Sequence, residues 1–457
     1  MSPTSWNPLL SKIHNSNFDR LPSGGATGVG ASKRTSFFFS VFIALLFPAA
    51  AIAEQPVPFF NGSNALHGNL LKAVRIRPLP VLNGIDVLRE QNFAPLAGKR
   101  IGLITNHTGL AADGVSTIDL LFKTDVCKLA VLFSPEHGIR GESEERVNSS
   151  VDAKTGLPIY SLYGDTRRPA PEMLKNIDAL VFDIQDIGAR FYTYITTMAY
   201  CMEAAAKANI AFYVLDRPNP IGGIRVEGPM LDADRTSFTG YMPLPVRHGM
   251  TVGEIARYFN AENHIGARLE VIAMKGWQRS YLFWDTGQLW TNPSPNMRSV
   301  TAAILYPGVC LLEATNISVG RGTDKPFELV GAPWIQPGRL VAFLNDAGGL
   351  PGVEFVPVYF TPDSGTYKGV RCGGVNIVIT DHQGLNSVSV GLTLIKALRD
   401  IYPAAFKIDG VMNLLGNAEI MKILRDGKSP TEENLNQIPG FLRFMDRRRS
   451  ALIYGSN

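Results

Sequence analysis

The chain reads as an α/β protein built on a Rossmann-like, mostly parallel sheet, joined to a second α/β or α+β domain. Three observations predict this. Short apolar segments of buried-strand type alternate with helical segments from about residue 99 to residue 274. Parallel neighbours need crossovers, and crossovers are usually helical, so the alternation itself favours parallel pairing. At 457 residues the chain is also too long for one ordinary core. The expected boundaries are 1–53 for a leader, 54–80 for a linker or arm, 81–290 for the Rossmann-like domain and 291–457 for a C-terminal domain that completes a cleft.

Lys33 and Arg34 precede the apolar run Phe37 to Phe47, and Ala51-Ile52-Ala53 offers a small-x-small cleavage site before Glu54. The run is short for a membrane span, so the reading is a signal peptide, a secreted or periplasmic location, and no stable membrane anchor after cleavage. Residues 1–53 carry four basic side chains and one acidic, so their removal takes the formal charge from +4 to +1. A near-neutral chain with no Lys/Arg block or basic-aromatic stripe gives no support to a nucleic-acid partner, and none is expected. Residues 54–80 are rich in Pro, Asn and Gly and show no sustained period.

The regular pattern begins at Lys99 to Thr105, a buried-type strand that ends in Asn106-His107-Thr108-Gly109. A helix from Ser116 to Lys123 follows, with Ser116 or Thr117 as its cap. Leu129 to Ser134 is the next strand, and Ser-Pro delivers Glu136 and His137 into a Gly-bounded turn. A helical turn at Glu172 to Asn176 precedes a third strand, Ile177 to Asp183, which ends in Gln185, Asp186 and Arg190. A helix runs from about Tyr194 to Ala208, and Ile210 to Leu215 is a fourth strand ending in Asp216 and Arg217. Thr251-Val-Gly-Glu254 is a capping box that opens a helix to about Glu262, and Leu269 to Met274 is a further strand of the same sheet. Beyond a Pro-, Asn- and Trp-rich stretch, strands at 353–360 and 374–380 and helices at 339–344 and 387–401 form the second domain.

Tips of successive parallel strands meet on one sheet edge, where open α/β sheets place their ligand crevice. Asn106, Glu136, Gln185, Asp186, Arg190, Asp216 and Arg217 are therefore expected to converge. The first tip lacks G-x-G-x-x-G and no Walker loop occurs, so no nucleotide cofactor is expected. His107, His137, His248 and His382 are separately embedded, with no HExxH, and Cys127, Cys201, Cys310 and Cys372 lie far apart without a CxxC, so no metal is expected; disulfide pairing is left open. No G-x-S-x-G elbow is present, and no Cys is placed beside a His. Carboxylate chemistry is left. Glu136 is fixed behind Pro135, and Asp183, Asp186, Asp216, Glu313 and Glu328 are possible partners, in the manner of glycoside hydrolysis. The alternative for each Asp is a turn or helix cap. Tyr163, Tyr192, Tyr194, Trp277, Trp284 and Trp290 offer flat surface to a sugar ring or to the core.

The segments GLITNHTGL (102–110), FSPEHGIRG (133–141), TGLPIYSLYG (155–164), DIQDIGARFYTY (183–194), LDRPNPIGG (215–223), RHGMTVGE (247–254), PSPNM (293–297) and EATNISVGRGTDKPFELVGAPW (313–334) resemble the exo-β-N-acetylmuramidases of the NamZ type, over about Gly84 to Pro403. The resemblance implies a cleft between the two domains, release of terminal N-acetylmuramic acid from non-reducing ends of peptidoglycan fragments, and Glu136 as the catalytic residue. In that setting Glu136 is expected to act as general acid with His137 raising or orienting it, and the substrate-binding candidates are Asn106, Gln185, Asp186, Arg190, Tyr192, His248, Asn296, Glu313, Arg321 and Thr323. Arg321 or Arg190 would grip the lactyl carboxylate, and Asn106, Gln185 and Asn296 the acetamido or hydroxyl groups. A non-catalytic periplasmic glycan-binding protein and a metal-dependent envelope hydrolase are the alternatives. Stereochemical course, the second catalytic group and oligomeric state are not readable from sequence.

Overall fold

Strand residues that are apolar on both sides need cover on both sides, and the computed structural model supplies it. It describes residues 80–140, 149–164, 166–346, 350–430 and 440–455. The expected leader (1–53) and all but the last residue of the expected arm (54–80) lie outside the described residues.

Seven strands form the main sheet: β1 (Arg100–Thr105), β2 (Lys128–Ser134), β3 (Ser150–Val151), β4 (Pro158–Ser161), β5 (Ala179–Asp183), β6 (Ala211–Leu215) and, further on, β9 (Arg268–Ile272). A separate antiparallel pair, β7 (Glu227–Met230) and β8 (Pro245–Arg247), lies between β6 and β9 in sequence. The sheet order is β3-β4-β2-β1-β5-β6-β9, with every pairing parallel except β3 with β4. β1 is thus the central strand. Register sets Thr105 beside Asp183 and Leu215 beside Ile272, which aligns the carboxyl ends of β1, β5, β6 and β9.

Helices α1 (Gly84–Glu90) and α2 (Thr117–Lys123) cover one face, and α3 (Tyr194–Lys207) and α4 (Val252–Glu262) the other. Alternate residues of a strand point to opposite faces, so Leu132 and Val181 pack with Ile85, Leu88 and Leu121, while Phe133 and Phe182 pack with Ile195, Met198 and Ile255. The starts of these helices follow their caps. Ser116 accepts the Asp119 N–H at 3.1 Å, and Thr251 with Glu254 forms the expected capping box.

The second domain consists of α5 (Val300–Val309), β10 (Leu329–Ala332), α6 (Pro337–Asp346), β11 (Val353–Phe360), β12 (Cys372–Ile379) and α7 (Ser387–Ile401). Its three strands are antiparallel in the order β10-β12-β11. A Pro and a Gly inside α5 would ordinarily argue against a helix. The reason for Gly308 is its crossing with α7: a Cβ there would lie 1.8 Å from the Ser387 carbonyl oxygen, and one on Gly391 would lie 2.2 Å from the Gly308 carbonyl oxygen. Only two glycines let these backbones touch. The helices α8 (Met412–Leu415), α9 (Ala418–Arg425) and α10 (Phe441–Ala451) complete the domain. One apolar cluster runs from Phe182 and Val214 through Leu305 and Leu398 to Val375, so the two domains share a core.

Candidate active site

Glu136 stands two residues past the end of β2, which is buried over Val131 to Ser134. Pro135 stiffens the exit, and its carbonyl accepts the Gly138 N–H at 3.1 Å to close a tight turn. His137 (φ 70°) and Gly138 (φ 79°) both take left-handed backbone there. That conformation is costly for a residue with a Cβ, and such strain is characteristic of functional positions.

The Glu136 carboxylate has two hydroxyl partners. Thr193 Oγ1 donates to its Oε2, and the Tyr163 phenol also hydrogen-bonds it. Thr193 is the N-cap of α3, yet its side chain makes no cap bond. A Thr at that position normally turns its hydroxyl to its own helix; here the hydroxyl serves Glu136 instead. Burial, reinforced by the Glu136 charge, pushes the Tyr163 phenol up to about 12, so it remains a donor at neutral pH.

Around this carboxylate lies a cavity of about 380 Å³. Its aromatic wall comes from Tyr192, Tyr194, Tyr306 and Phe327, with edge-to-face contacts at 5.0 Å (Tyr192–Tyr194), 5.7 Å (Tyr192–Tyr306) and 4.7 Å (Tyr306–Phe327). Arg321 and Glu313, supplied by the second domain, line the same cavity and form an ion pair at 2.5 Å. Burial works to lower the Arg321 pKa, but the Glu313 carboxylate holds it above its ordinary value, so the guanidinium stays charged. Cys310 Sγ donates to Glu313 Oε2 at 3.1 Å. Cys310 and the three other cysteines are buried free thiols. One carboxylate on the sheet, one ion pair from the second domain and a flat apolar wall make a pocket suited to a ring that carries a charged substituent.

Of the residues singled out in the sequence, Glu136, His137, Tyr192, Tyr194, Glu313 and Arg321 meet in this cavity. The others do not line it. Asn106 backs the wall: its Nδ2 donates to Tyr194 Oη at 3.1 Å while its Oδ1 accepts from Thr108 N and Oγ1 at 2.9 and 2.6 Å. Asn296 is buried two residues beyond Ser294, which does line the cavity. Thr323 Oγ1 donates to the Gly320 carbonyl at 2.6 Å, which makes it a turn residue. Gln185 Nε2 donates to the carbonyls of Asp186 and Pro218 at 2.7 and 2.8 Å. Arg190 is corrected from ligand candidate to internal clamp. It is 1% exposed and donates to the carbonyls of Pro229, Leu244, Leu414 and Leu415 at 2.6–3.2 Å, tying β7, the residue that leads into β8, and α8 together.

Asp186 and His248 are also interior. Asp186 Oδ2 accepts the Gly188 N–H at 2.7 Å and lies 3.9 Å from His248 Nε2. Burial pushes Asp186 up to about 7, and burial with the charges of Arg448 and Arg247 pushes His248 down to about 3. At neutral pH the imidazole is uncharged. Asp216 and Arg217 are equally structural. Asp216 accepts Gly253 N at 2.8 Å at the start of α4 and the Tyr454 hydroxyl at 2.6 Å. Arg217 grips Asp183 through Nε at 2.5 Å and Nη2 at 3.0 Å. Among the described residues no cluster of three or more His, Cys, Asp or Glu is arranged to hold a metal ion.

Sequence reasoning missed Thr193, Tyr306, Cys310 and Phe327 and did not tie Tyr163 to Glu136. Only Thr193 carried a usable signal, as a cap-type residue at the head of a helix.

Residues 101–301 match the model "Exo-beta-N-acetylmuramidase NamZ, N-terminal" and residues 304–454 the model "Exo-beta-N-acetylmuramidase NamZ, C-terminal". The chain is 47% identical over 380 residues to the peptidoglycan beta-N-acetylmuramidase NamZ of Bacillus subtilis (strain 168), covering 82% of this chain and 91% of that protein. It also resembles two crystal structures of DUF1343 family proteins from Bacteroides fragilis NCTC 9343. One gives a TM-score of 0.71 at 37% identity and the other 0.68 at 32%, each covering 83% of this chain and 100% of the other. With both domain models matched over almost all of the described chain, this protein belongs to the NamZ family of exo-β-N-acetylmuramidases.

Proposed function

We propose that this protein removes terminal N-acetylmuramic acid from the non-reducing ends of peptidoglycan fragments, with Glu136 as the general acid that protonates the glycosidic oxygen. The observation that carries the assignment is a half-buried carboxyl group held by two hydroxyls, in a cavity that also contains a charged guanidinium. Proton delivery needs a carboxyl of fixed orientation within hydrogen-bond reach of the leaving oxygen. Thr193 and Tyr163 supply the orientation.

Arg321 binds the lactyl carboxylate that distinguishes muramic acid from N-acetylglucosamine. Its ion pair with Glu313 is made through Nε, and a planar guanidinium can take a carboxylate with two bonds through its terminal nitrogens. Tyr192 and Tyr306 stack or edge against the sugar ring, and His137 supports the Glu136 turn. The leader read at residues 1–53 would place this activity in the periplasm or the medium, where such fragments occur.

The test is release of free N-acetylmuramic acid from a chromogenic muramic-acid glycoside and from a short glycan. Substrate that is bound but not cleaved would turn the assignment into that of a glycan-binding protein.

A further inference from the structure

An exo-acting enzyme that encloses one terminal sugar must let the rest of its substrate leave the cavity, and the described surface offers a path. Ser294 lines the catalytic cavity and also a second, open and shallow depression, whose other lining residues include His107, Arg140, Trp290 and Asn292. The strip from Trp290 to Pro295 that joins the two is pinned from both sides. Tyr194, a wall residue of the cavity, donates through Oη to the Pro293 carbonyl at 2.6 Å, and His107 Nε2, at the tip of β1, bonds the Asn292 carbonyl at 2.7 Å. Trp290 Nε1 donates to the Met297 carbonyl at 3.1 Å, and its ring meets Phe283 edge-on at 4.9 Å. A rail fixed at adjacent carbonyls presents its surface without paying ordering entropy on binding.

Arg140 is the one permanently charged side chain among the described lining residues of this shelf. Its guanidinium contacts Asp152 at 3.4 Å and is 69% exposed. Asp152 is buried, but the guanidinium end of the pair stands in solvent, which screens the contact. Arg140 meets only Oδ1 of Asp152, and at a long distance, while Oδ2 keeps its own partners by accepting Thr155 N and Oγ1 at 2.9 and 2.7 Å. The guanidinium can therefore exchange this partner for a ligand carboxylate at small cost. In a chain that alternates neutral and acidic sugars, the next carboxylate after the terminal one sits on the second acidic sugar, beyond one neutral ring.

Building on the activity proposed above, we infer that the Trp290–Pro295 shelf is the subsite for the departing glycan, and that Arg140 reads the carboxylate of its next muramyl residue. The neutral ring in between lies against the half-buried Trp290. Longer, peptide-free fragments are then better substrates than a single sugar on an artificial leaving group.

The test compares an aryl N-acetylmuramic acid glycoside with a peptide-free tetrasaccharide of alternating N-acetylmuramic acid and N-acetylglucosamine. For Arg140→Ala the loss in kcat/KM on the tetrasaccharide should exceed the loss on the aryl glycoside by about tenfold, with part of it restored in Arg140→Lys. Methyl esterification of the inner lactyl carboxylate should cost the unaltered protein the same factor and cost Arg140→Ala nothing. Calorimetry of tetrasaccharide binding in a Glu136→Gln background should show the same tenfold weakening on loss of Arg140, whether or not turnover is observed. Equal losses on both substrates, or indifference to esterification in the unaltered protein, overturn the inference. Failure to cleave either substrate counts against the proposed activity and leaves the binding result to judge the shelf.

Discussion

The tip of β2 and the tips of β5 and β6 carry similar residues but have opposite fates. At the β5 and β6 tips, Asp183 and Arg217 bond each other, and Asp216 caps α4 and takes the Tyr454 hydroxyl; all three residues are almost completely buried. At the β2 tip, Glu136 is only half-buried, and its hydroxyl partners leave it open to a cavity. The difference teaches that a polar strand tip marks a site only when its groups are held but not consumed. A charge whose bonds are all closed within the protein supports the fold.

Substitutions at the two kinds of tip should therefore separate activity from stability. Glu136→Gln should lower turnover of a chromogenic muramic-acid glycoside by about 10²–10⁴-fold, the usual contribution of a general acid, with thermal unfolding nearly unmoved. Retained turnover would remove Glu136 from the mechanism. Asp183→Ala should do the reverse, costing about 3–5 kcal/mol in denaturant unfolding because it strands the buried Arg217 charge. Smaller in effect, Arg321→Ala should reduce kcat/KM for a muramic-acid glycoside about 10–100-fold more than for its N-acetylglucosamine counterpart, and equal losses would deny it the lactyl carboxylate. Thr193→Val keeps the shape but removes the donor to Glu136, and a fall of about tenfold in kcat with little change in KM is expected.

The subtlest contrast lies within the interior, between Asp186 and His248. Asp186 has its pKa raised from 3.8 to about 7 on folding, so its contribution is complete below the ordinary value and is lost as pH rises toward 7. His248 is lowered from 6.5 to about 3, so its contribution is complete above 6.5 and is lost as pH falls. The two slopes oppose each other between pH 4 and pH 6.5. Unfolding curves across that range should show Asp186→Asn gaining on the parent as pH rises and His248→Gln gaining on it as pH falls. Two slopes of the same sign would contradict this placement of the pair.

Much of the fold was legible because its signals are local. Strands at 100–105, 128–134, 179–183, 211–215 and 353–360 and helices at 117–123, 194–207, 252–262 and 387–401 fall within a residue or two of their expected places. α5 was not foreseen, since Pro307 and Gly308 mimic a break and the reason for Gly308 is a helix crossing 83 residues away, at Gly391. The short pair β7 and β8 gave no clear period over four and three residues. In the cavity, Glu136 and His137 come from the β2 tip and Arg321 and Phe327 from the Gly-rich loop, while Tyr192, Thr193, Tyr194, Tyr306 and Glu313 come from other parts of the chain. Arg190 was misread because an Arg beside a strand tip looks the same whether it faces ligand or four carbonyls.

By itself the sequence determined the parallel sheet, its helices and the position of Glu136 behind Pro135, because hydrophobic period, caps and turn residues act over a few neighbours. Only the tertiary structure decided which polar groups are used up by one another and which face the cavity. That depends on partners distant in sequence, such as Thr193 on Glu136, Glu313 on Arg321 and Arg217 on Asp183, and burial, joined at His248 by the charges of Arg448 and Arg247, sets the opposite pKa shifts of Asp186 and His248.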